Sequence, residues 1–267
     1  MNFTAKLSIV TINLNNSTGL RKTIESVVAQ TFKDFQFIVI DGGSTDESVK
    51  VIKEFEDKIT FWRSEPDNGI YYAMNKGIIQ SSGEYCLFLN SGDQLLHKDV
   101  LKHCFNIIFT EDFVYGHQVI EKDGKFIEDP CLDTEYITFL TLSKSHISHQ
   151  CTFIKRELFN KIGFYNEENK IISDWEFVMK GLFIYGCSIR RIPINMTIYD
   201  TAGISSQDEL KCLQFEERRK FLEKQFPLFM PDYDSFERFM NKNYIKTTLT
   251  LRSLFKRIIK LSRFHAS

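Results

Sequence analysis

The sequence predicts an α/β protein in which a mostly parallel, Rossmann-like sheet is flanked by helices. Short apolar runs rich in β-branched residues alternate with segments whose apolar residues recur at helical spacing. This alternation continues over about the first 90 residues, as in parallel sheets that helices cover on both faces. The 267 residues, of which 43% are hydrophobic, are enough for one large core.

The elements of the first half follow one another in the order β-α-β-α-β-α-β. The predicted strands cover residues 6–12, 35–41, 59–64 and 84–90. Apolar periodicity predicts helices over residues 17–30, 44–55 and 69–80. Ser44 and Glu47 have the spacing of a capping box, so we expect them to open the second helix.

Polar side chains follow three of these strands where each strand ends. Thr11 and Asn13 end the first strand, Asp41 ends the second, and the fourth ends on Asn90-Ser91-Gly92-Asp93. Ligands of open parallel sheets bind beyond the carboxyl ends of the strands. The sequence therefore predicts a ligand site at this edge of the sheet.

The motifs that are missing narrow the choice of ligand. The turn after the first strand reads "NLNNSTG", which is not the G-x-G-x-x-G of a dinucleotide site, and the chain has no Walker A sequence. A glycine-rich loop is therefore not expected to hold phosphates. We expect instead a hard divalent cation, Mn²⁺ or Mg²⁺, bound by Asp93 and neutralising a diphosphate.

Composition excludes several other classes of protein. The formal net charge of −1 gives no global basic field, so we expect no nucleic-acid partner. The six cysteines are scattered without metal-ligand spacing, and we expect them to be reduced. There is no signal-peptide pattern, and no stretch reaches the roughly 18 apolar residues of a spanning helix. We therefore expect a cytoplasmic protein.

Several stretches together resemble glycosyltransferase family 2. "FQFIVIDGGSTDES", "SEPDNGIYYAMNKG" and "LFLNSGD" are similar to its nucleotide-binding half, and "HQCTFIKRELFNKIGFY" and "ISDWEFVMK" to its acceptor half. The resemblance covers about residues 7–185. It implies the A-type glycosyltransferase fold and transfer of sugar from a nucleotide diphosphate-sugar with inversion. The long form of these motifs is most similar to bacterial enzymes that build surface polysaccharides.

The resemblance also implies roles for donor-side residues. Thr11 and Asp41 match positions that contact the nucleoside, and Asp67 matches an acidic position on the donor side. The metal motif Asp-x-Asp reads Ser91-Gly92-Asp93, so the direct metal ligand is kept and the first acid is replaced by a hydroxyl.

Lys76, in the third predicted helix, has two interpretations. It neutralises phosphate, or it is a solvated helix lysine. The sequence leaves both open.

Inverting transfer requires one general base to take the proton of the acceptor hydroxyl. Asp174 and Glu176 lie at the start of an apolar-periodic helix, with Ser173 as a candidate cap. Acids in a first helical turn also favour the macrodipole without any catalytic role. The resemblance selects Asp174 as the base and leaves Glu176 as the runner-up. His149 belongs to a His-Gln pair that recurs in the family, and its role stays open between the acceptor site and packing.

The last part of the chain is predicted to be separate. We expect a catalytic domain over residues 1–205, with a nucleotide-sugar half (1–95) and an acceptor half (96–205), and a helical extension over 206–267. Within residues 245–264 apolar and basic residues fall on different helical faces, which is typical of membrane-surface helices. The alternatives are packing on the catalytic domain or on a second copy of the chain.

The predicted function is that of an inverting glycosyltransferase acting on a saccharide or lipid-linked acceptor in cell-surface polysaccharide biosynthesis. If the tail binds anionic lipid, the protein is peripheral on the cytosolic face of the inner membrane. Two alternatives stay open, a nucleotide-sugar-binding protein without turnover and a nucleotidyltransferase that makes the donor. Release of nucleoside diphosphate excludes the first, and pyrophosphate production identifies the second.

Overall fold

A computed structural model describes residues 5–122, 125–129, 132, 136–201 and 208–239. The chain divides into two compact units, Met1–Arg218 and Arg219–Ser267. The first unit contains the sheet and every candidate site residue. The predicted domain boundary at residue 205 stays a prediction.

The described sheet has nine strands in the order β3-β2-β1-β4-β8-β6-β9-β5, with β7 paired to β6. The strands are β1 (Ala5–Asn13), β2 (Phe35–Asp41), β3 (Phe61–Ser64), β4 (Gly83–Phe88), β5 (Gln94–Leu95), β6 (Phe113–Lys122), β7 (Lys125–Asp129), β8 (Thr152–Lys155) and β9 (Ile189–Tyr199). Strands β1 to β4 are parallel, as predicted. Strand β8 is antiparallel to both β4 and β6, so the complete sheet is mixed. Because β1 lies between β2 and β4, the carboxyl ends of these three strands share one edge.

Eight α-helices are described. They are α1 (Ser17–Val28), α2 (Ser48–Glu54), α3 (Ile70–Gln80), α4 (Val100–Phe105), α5 (Phe139–Lys144), α6 (Leu158–Lys161), α7 (Ser173–Phe183) and α8 (Lys211–Gln225). The helices between the first four strands lie where the apolar periodicity predicts them. The described chain ends in a further helical segment over residues 230–239.

Two predicted helix caps are wrong. Helix α2 begins at Ser48, four residues after Ser44, and its N-cap residue Glu47 makes no side-chain capping bond. Ser44 instead donates its hydroxyl to the carboxylate of Asp41 at 2.6 Å. Ser173 is the first residue of α7 and donates to the carbonyl of Asn166 at 2.5 Å. Each hydroxyl donates to a residue outside the helix that it was predicted to cap. The spacing of residues along the chain does not reveal such contacts.

An aromatic cluster fixes α7 against the sheet. Phe177 of α7 stacks on Phe159, with ring centroids 4.7 Å apart, and meets Tyr165 edge-on. Tyr165 in turn packs on Phe88 at the end of β4. Edge-to-face and offset ring pairs of this kind each stabilise by about 0.5–1.5 kcal/mol beyond their burial. The first turn of α7 is thereby fixed close to the edge where β4 ends.

The second unit is helical where it is described. Arg219 forms ion pairs with Glu223 one turn later and with Asp234. Among the described helices of the chain, none is long and apolar enough to cross a membrane. The predicted basic amphipathic helix over residues 245–264 lies outside the described residues.

Candidate active site

Asp41, at the end of β2, is fully buried, and its carboxylate accepts four hydrogen bonds. Its two oxygens accept from the side chain of Asn13, from the hydroxyl and backbone N–H of Ser44, and from the hydroxyl of Ser64. Burial alone raises the pKa of the Asp41 carboxyl, but these bonds outweigh burial and hold the pKa below its usual value. The carboxylate therefore anchors the ends of β1, β2 and β3 to one another.

Thr11 and Asn13 of β1 play different parts at this edge. The Thr11 hydroxyl is buried and donates to the carbonyl of Leu89 at 2.8 Å, so it holds β1 to the chain after β4. The Oδ1 atom of Asn13 is also buried and has no hydrogen-bond partner among the described residues. Asn13 therefore offers an acceptor atom that a ligand can use, whereas Thr11 is committed to the fold.

Thr23 of α1 holds the turn after β4. Its hydroxyl donates to the carbonyl of Asp93 at 2.7 Å and accepts from the N–H of Gly92 at 3.0 Å. Gly92 has φ of 109°, which favours glycine, and a Cβ there would lie 2.2 Å from the carboxylate of Asp200. The backbone N–H of Ser91 donates to the carbonyl oxygen of Ile12 in β1. The turn is thus fixed by helix and strand together.

Asp93 is 5% exposed and carries a perturbed carboxyl group. Burial raises its pKa to about 7, and nearby Asp200 adds to the rise. The N–H of Asp200 donates to Asp93 Oδ1 at 2.9 Å, which offsets only part of this effect. A buried carboxylate that is only partly compensated is stabilised by a cation.

These residues fit a divalent cation whose remaining ligands come from the substrate. No group of three or more His, Cys, Asp or Glu residues suited to hold a metal exists in the described chain. Asp93, with Asp200 beside it, can supply carboxylate oxygens. Mg²⁺ in nucleotide sites is usually held by one or two carboxylates with the remaining ligands from phosphate and water. The donor set therefore suits a metal-diphosphate complex rather than a closed protein cage.

Asp67 and Lys76 lie on the segment that follows β3 and on α3. The carboxylate of Asp67 accepts from the backbone N–H of Gly69 at 3.0 Å, just before α3 begins. Lys76 forms an ion pair with Glu65 at 2.9 Å, and this contact lowers the pKa of Glu65. The structure therefore gives Lys76 an acidic partner within the protein.

Asp174, in the first turn of α7, is held at both of its oxygens. Oδ1 accepts from the hydroxyl of Tyr71 at 3.1 Å, and Oδ2 lies 3.0 Å from Nδ1 of His149. The side chains of His149 and Asp174 remain 18% and 24% exposed. Burial raises the pKa of Asp174, but bonding to His149 outweighs it, so the pKa lies below its usual value. Burial raises the pKa of Tyr71 well above its usual value, which keeps its hydroxyl a donor.

Glu176 is placed differently from Asp174 on the same helix. Its carboxylate pairs with Lys180 one turn later and accepts from the side chain of Asn169 at 2.6 Å. The residue is buried. These partners give Glu176 a role in holding the start of α7, and residues two apart do not share a helix face.

A cavity of about 390 Å³ opens beside Asp174 and His149. Aromatic and charged side chains line it, among them Lys144, His146, Trp175 and Arg218. The guanidinium of Arg218 lies 4.8 Å from the ring centre of Trp175. Trp175 itself is buried, so the cavity presents polar and charged groups next to the candidate base, and such groups can hydrogen-bond the hydroxyls of a sugar.

Three residues of the site, Tyr71, Thr23 and Asp200, were not predicted from the sequence. Tyr71 and Thr23 read as ordinary helix residues, and Asp200 lies after the last strand with no motif around it. Asn90 stands within the quoted "LFLNSGD" stretch, and its side-chain nitrogen lies 3.1 Å from Nε2 of His149. The polar end of the fourth strand predicts Asn90 at the ligand edge, whereas its contact with His149 was not predicted.

Comparisons with known proteins agree with this architecture. The sequence model described as "Glycosyl transferase family 2" matches residues 8–163. An uncharacterised glycosyltransferase of Mycobacterium tuberculosis is 31% identical over 217 residues, which are 80% of this chain and 82% of the relative. A PGL/p-HBAD biosynthesis glycosyltransferase of Mycobacterium bovis is 33% identical over 176 residues, 64% of this chain and 67% of the relative.

Solved structures confirm the predicted A-type fold. Staphylococcus aureus TarS in complex with UDP-GlcNAc superposes with a TM-score of 0.64 at 19% identity, over 80% of this chain and 64% of that chain. A mannosyltransferase of Pyrobaculum calidifontis, in complex with GDP-Man and Mn²⁺, gives a TM-score of 0.58 at 12% identity, over 88% and 74% of the two chains. At these identities the likeness concerns the fold alone.

Proposed function

The chain belongs to glycosyltransferase family 2, and from that premise we propose that it is an inverting glycosyltransferase of cell-surface polysaccharide biosynthesis. The donor is a nucleotide diphosphate-sugar, and the acceptor is a saccharide or a lipid-linked saccharide. The observation that carries this proposal is the position of Asp174, a partly exposed carboxylate fixed at both oxygens beside a cavity.

The donor occupies the edge formed by β1, β2 and β4. Asn13 Oδ1 offers a buried acceptor without a protein partner, and a nucleoside N–H or hydroxyl satisfies it. Asp41 acts there by holding the three strand ends in place rather than through a free oxygen of its own. Ser91 and Asp67 lie on the two turns that border this edge, and Lys76 is available to phosphate only when it leaves Glu65.

Asp174 acts as the general base. The acceptor hydroxyl gives its proton to a carboxylate oxygen of Asp174 as its own oxygen bonds to the anomeric carbon of the donor. In the same step the bond from that carbon to the diphosphate oxygen breaks, and the electron pair leaves with the nucleoside diphosphate. One displacement from the face opposite the leaving group inverts the anomeric configuration. Tyr71 and His149 each occupy one lone pair of Asp174 and leave others for the acceptor.

Asp93 is the proposed ligand of a Mn²⁺ or Mg²⁺ ion, with Asp200 beside it. Such an ion supplies Lewis-acid stabilisation of the departing nucleoside diphosphate. The carboxyl of Asp93, whose burial is only partly offset by the protein, gives this site its preference for a cation.

The acceptor enters the cavity beside Asp174. Arg218, packed over the buried ring of Trp175, brings guanidinium N–H donors to the cavity, and these suit the hydroxyls of a sugar. The basic tail over residues 245–264 brings the enzyme to the anionic membrane surface where lipid-linked acceptors reside.

A two-stage experiment tests the proposed function. Thermal-shift measurements with nucleoside diphosphates and their sugars, with and without Mn²⁺, identify the donor, because specific binding stabilises the folded protein. UDP-GlcNAc and GDP-Man are the first probes, since solved neighbours bind them. The identified donor is then incubated with saccharide acceptors. Release of nucleoside diphosphate together with a product of inverted configuration supports the proposal. Pyrophosphate release, retained configuration, or binding without release contradicts it.

A further inference from the structure

Asn90, His149 and Asp174 form a continuous line of side-chain contacts. Asn90 Nδ2 lies 3.1 Å from His149 Nε2, and His149 Nδ1 lies 3.0 Å from Asp174 Oδ2. The line begins two residues after β4 and ends in the first turn of α7. It therefore joins the turn that carries Asp93 to the candidate base.

Strand pairing makes this line possible. Strands β4 and β8 are antiparallel, with Cys86 opposite Ile154. Continuing the same register beyond β4 brings Asn90 level with Gln150, the residue after His149. His149 itself stands in a short 3₁₀ turn that is closed by bonds from Cys151 and Thr152 to the carbonyl of Ser148. The imidazole is thus presented from a fixed piece of backbone.

The contact with Asn90 determines where His149 carries its proton. An amide nitrogen only donates hydrogen bonds, so Nε2 must present its lone pair to Asn90. Neutral imidazole then carries its hydrogen on Nδ1, and Nδ1–H donates to Asp174. The other amide atom, Asn90 Oδ1, is buried and has no hydrogen-bond partner among the described residues. Among the described residues, the side chain of Asn90 therefore makes its hydrogen bond with His149.

We propose that Asn90 and His149 are positioning residues that orient the carboxylate of Asp174 for catalysis. Asn90 fixes the Nδ1–H tautomer of His149, and His149 then holds one oxygen of Asp174 through that hydrogen. This inference rests on the proposed function, because it assigns a task to the base. It means that the turn after β4 sets both the donor site and the direction of the base.

A spectroscopic measurement tests the tautomer without any activity assay. Long-range ¹H–¹⁵N correlation spectra of histidine-labelled protein distinguish Nδ1–H from Nε2–H imidazole, and the H149N variant assigns the signal. The parent is expected to show the Nδ1–H form, and the N90A variant a mixture of the two. An Nε2–H form in the parent, or no change in N90A, overturns the proposal.

A pair of substitutions separates the two contacts of the imidazole. Asparagine places its amide nitrogen near the position of Nδ1, so H149N keeps a donor to Asp174. Glutamine reaches toward the position of Nε2, so H149Q loses that donor. We expect H149N to keep kcat within about tenfold of the parent and H149Q to lose about 10²-fold, the effect of a misplaced catalytic group. The donor Kd is expected to stay within twofold in both, and equal losses in the two variants overturn the proposal.

A double-mutant cycle tests whether Asn90 acts through His149. If it does, N90A and H149A lower kcat without changing the donor Kd, and the double variant is no slower than H149A. The matched control is Gln36→Ala, which removes an amide bonded to Ser8, Ser82 and Gln80 at the opposite end of β2 and is expected to keep the parental kcat.

The outcomes separate this inference from the proposed function. Additive losses in the cycle, or a weaker donor Kd in N90A, mean that Asn90 acts on the donor, and the inference fails while the function stands. A parent that transfers no sugar contradicts the proposed function, and the tautomer measurement still decides the inference.

Discussion

His149 Nδ1 lies 3.0 Å from Asp174 Oδ2, although 25 residues separate the two in the chain. The contact joins the segment before β8 to the first turn of α7. Tyr71 of α3 meets the other oxygen of the same carboxylate. Asp174 is therefore held jointly by the nucleotide-sugar half and the acceptor half of the predicted catalytic domain, which is the arrangement that transfer between two substrates needs.

Tyr71→Phe tests the second contact of Asp174. The substitution removes one hydroxyl and keeps the buried ring, so a single hydrogen bond of about 0.5–1.5 kcal/mol is lost. We expect kcat to fall by about 3- to 10-fold, with the donor Kd unchanged. Steady-state kinetics and donor titration measure both. Tyr72→Phe, at the neighbouring position, is the control, and an equal loss in the two variants would show that the hydroxyl of Tyr71 has no specific role.

Asp41→Asn tests the anchoring role of Asp41. Four protein donors converge on its carboxylate and lower its pKa, so their stabilisation is present above the usual pKa and is lost as pH falls below it. We expect the variant to lose about 1–3 kcal/mol of unfolding free energy at pH 7 and the difference to shrink below about pH 4. Denaturant titration measures this difference. The exposed Asp57→Asn control should change stability by less than about 0.5 kcal/mol, and an equally small change in Asp41→Asn would contradict the anchoring role.

Asp93→Asn tests the buried carboxyl that is proposed to bind the metal. Because the pKa of Asp93 is raised to about 7, its ionisation costs stability, and this cost builds up as pH rises from the usual carboxyl pKa to about 7 and is complete above it. In chelator-treated buffer at pH 8, the variant should melt at least about 3 °C above the parent, the shift expected for roughly 1 kcal/mol. Below about pH 4, where the carboxyl is protonated in the folded and the unfolded protein alike, this difference should disappear. The variant should also lose Mn²⁺-dependent donor binding. A variant that binds donor and Mn²⁺ like the parent would refute the assignment.

Deletion of residues 245–267 tests the tail. If the tail lies on the membrane, its affinity combines buried leucine and phenylalanine surface with attraction to anionic lipid, and salt weakens the second part. Binding of the parent to vesicles should therefore rise with anionic lipid content and fall partly with ionic strength. The deletion should abolish vesicle binding and keep transfer to a soluble acceptor. Unchanged vesicle binding, or loss of a parental oligomer, would instead assign the tail to packing or assembly.

Local patterns in the sequence predict the first half of the fold well. β-Branched apolar runs and helical periodicity are local signals, and they place β1 to β4 and the intervening helices correctly. The capping box at Ser44 fails because its hydroxyl is taken by Asp41, a contact that depends on the fold around the strand end.

The sequence predicts only part of the site, because the other contacts also depend on the fold. Motif resemblance singles out Asp93 and Asp174, and the structure places both at polar, partly or fully buried positions. Asp93 accepts from Asp200, and Asp174 contacts Tyr71 and His149, all of which are distant from it in the chain. Their contacts follow from the pairing of β4 with β8 and from the packing of α7, which no local spacing encodes.

The most direct test of the account compares parent, Asp174→Asn and Glu176→Gln in sugar transfer with saturating donor. Loss of the general base is expected to lower kcat by about 10²- to 10⁴-fold in Asp174→Asn, with the donor Kd retained. Glu176→Gln is the matched control on the same helix, since its carboxylate pairs with Lys180 and Asn169, and it should keep kcat within about tenfold at a temperature where it stays folded. Parental kcat in Asp174→Asn would contradict the assignment of Asp174 as the base. Loss of activity in Glu176→Gln at the same time would assign that role to Glu176.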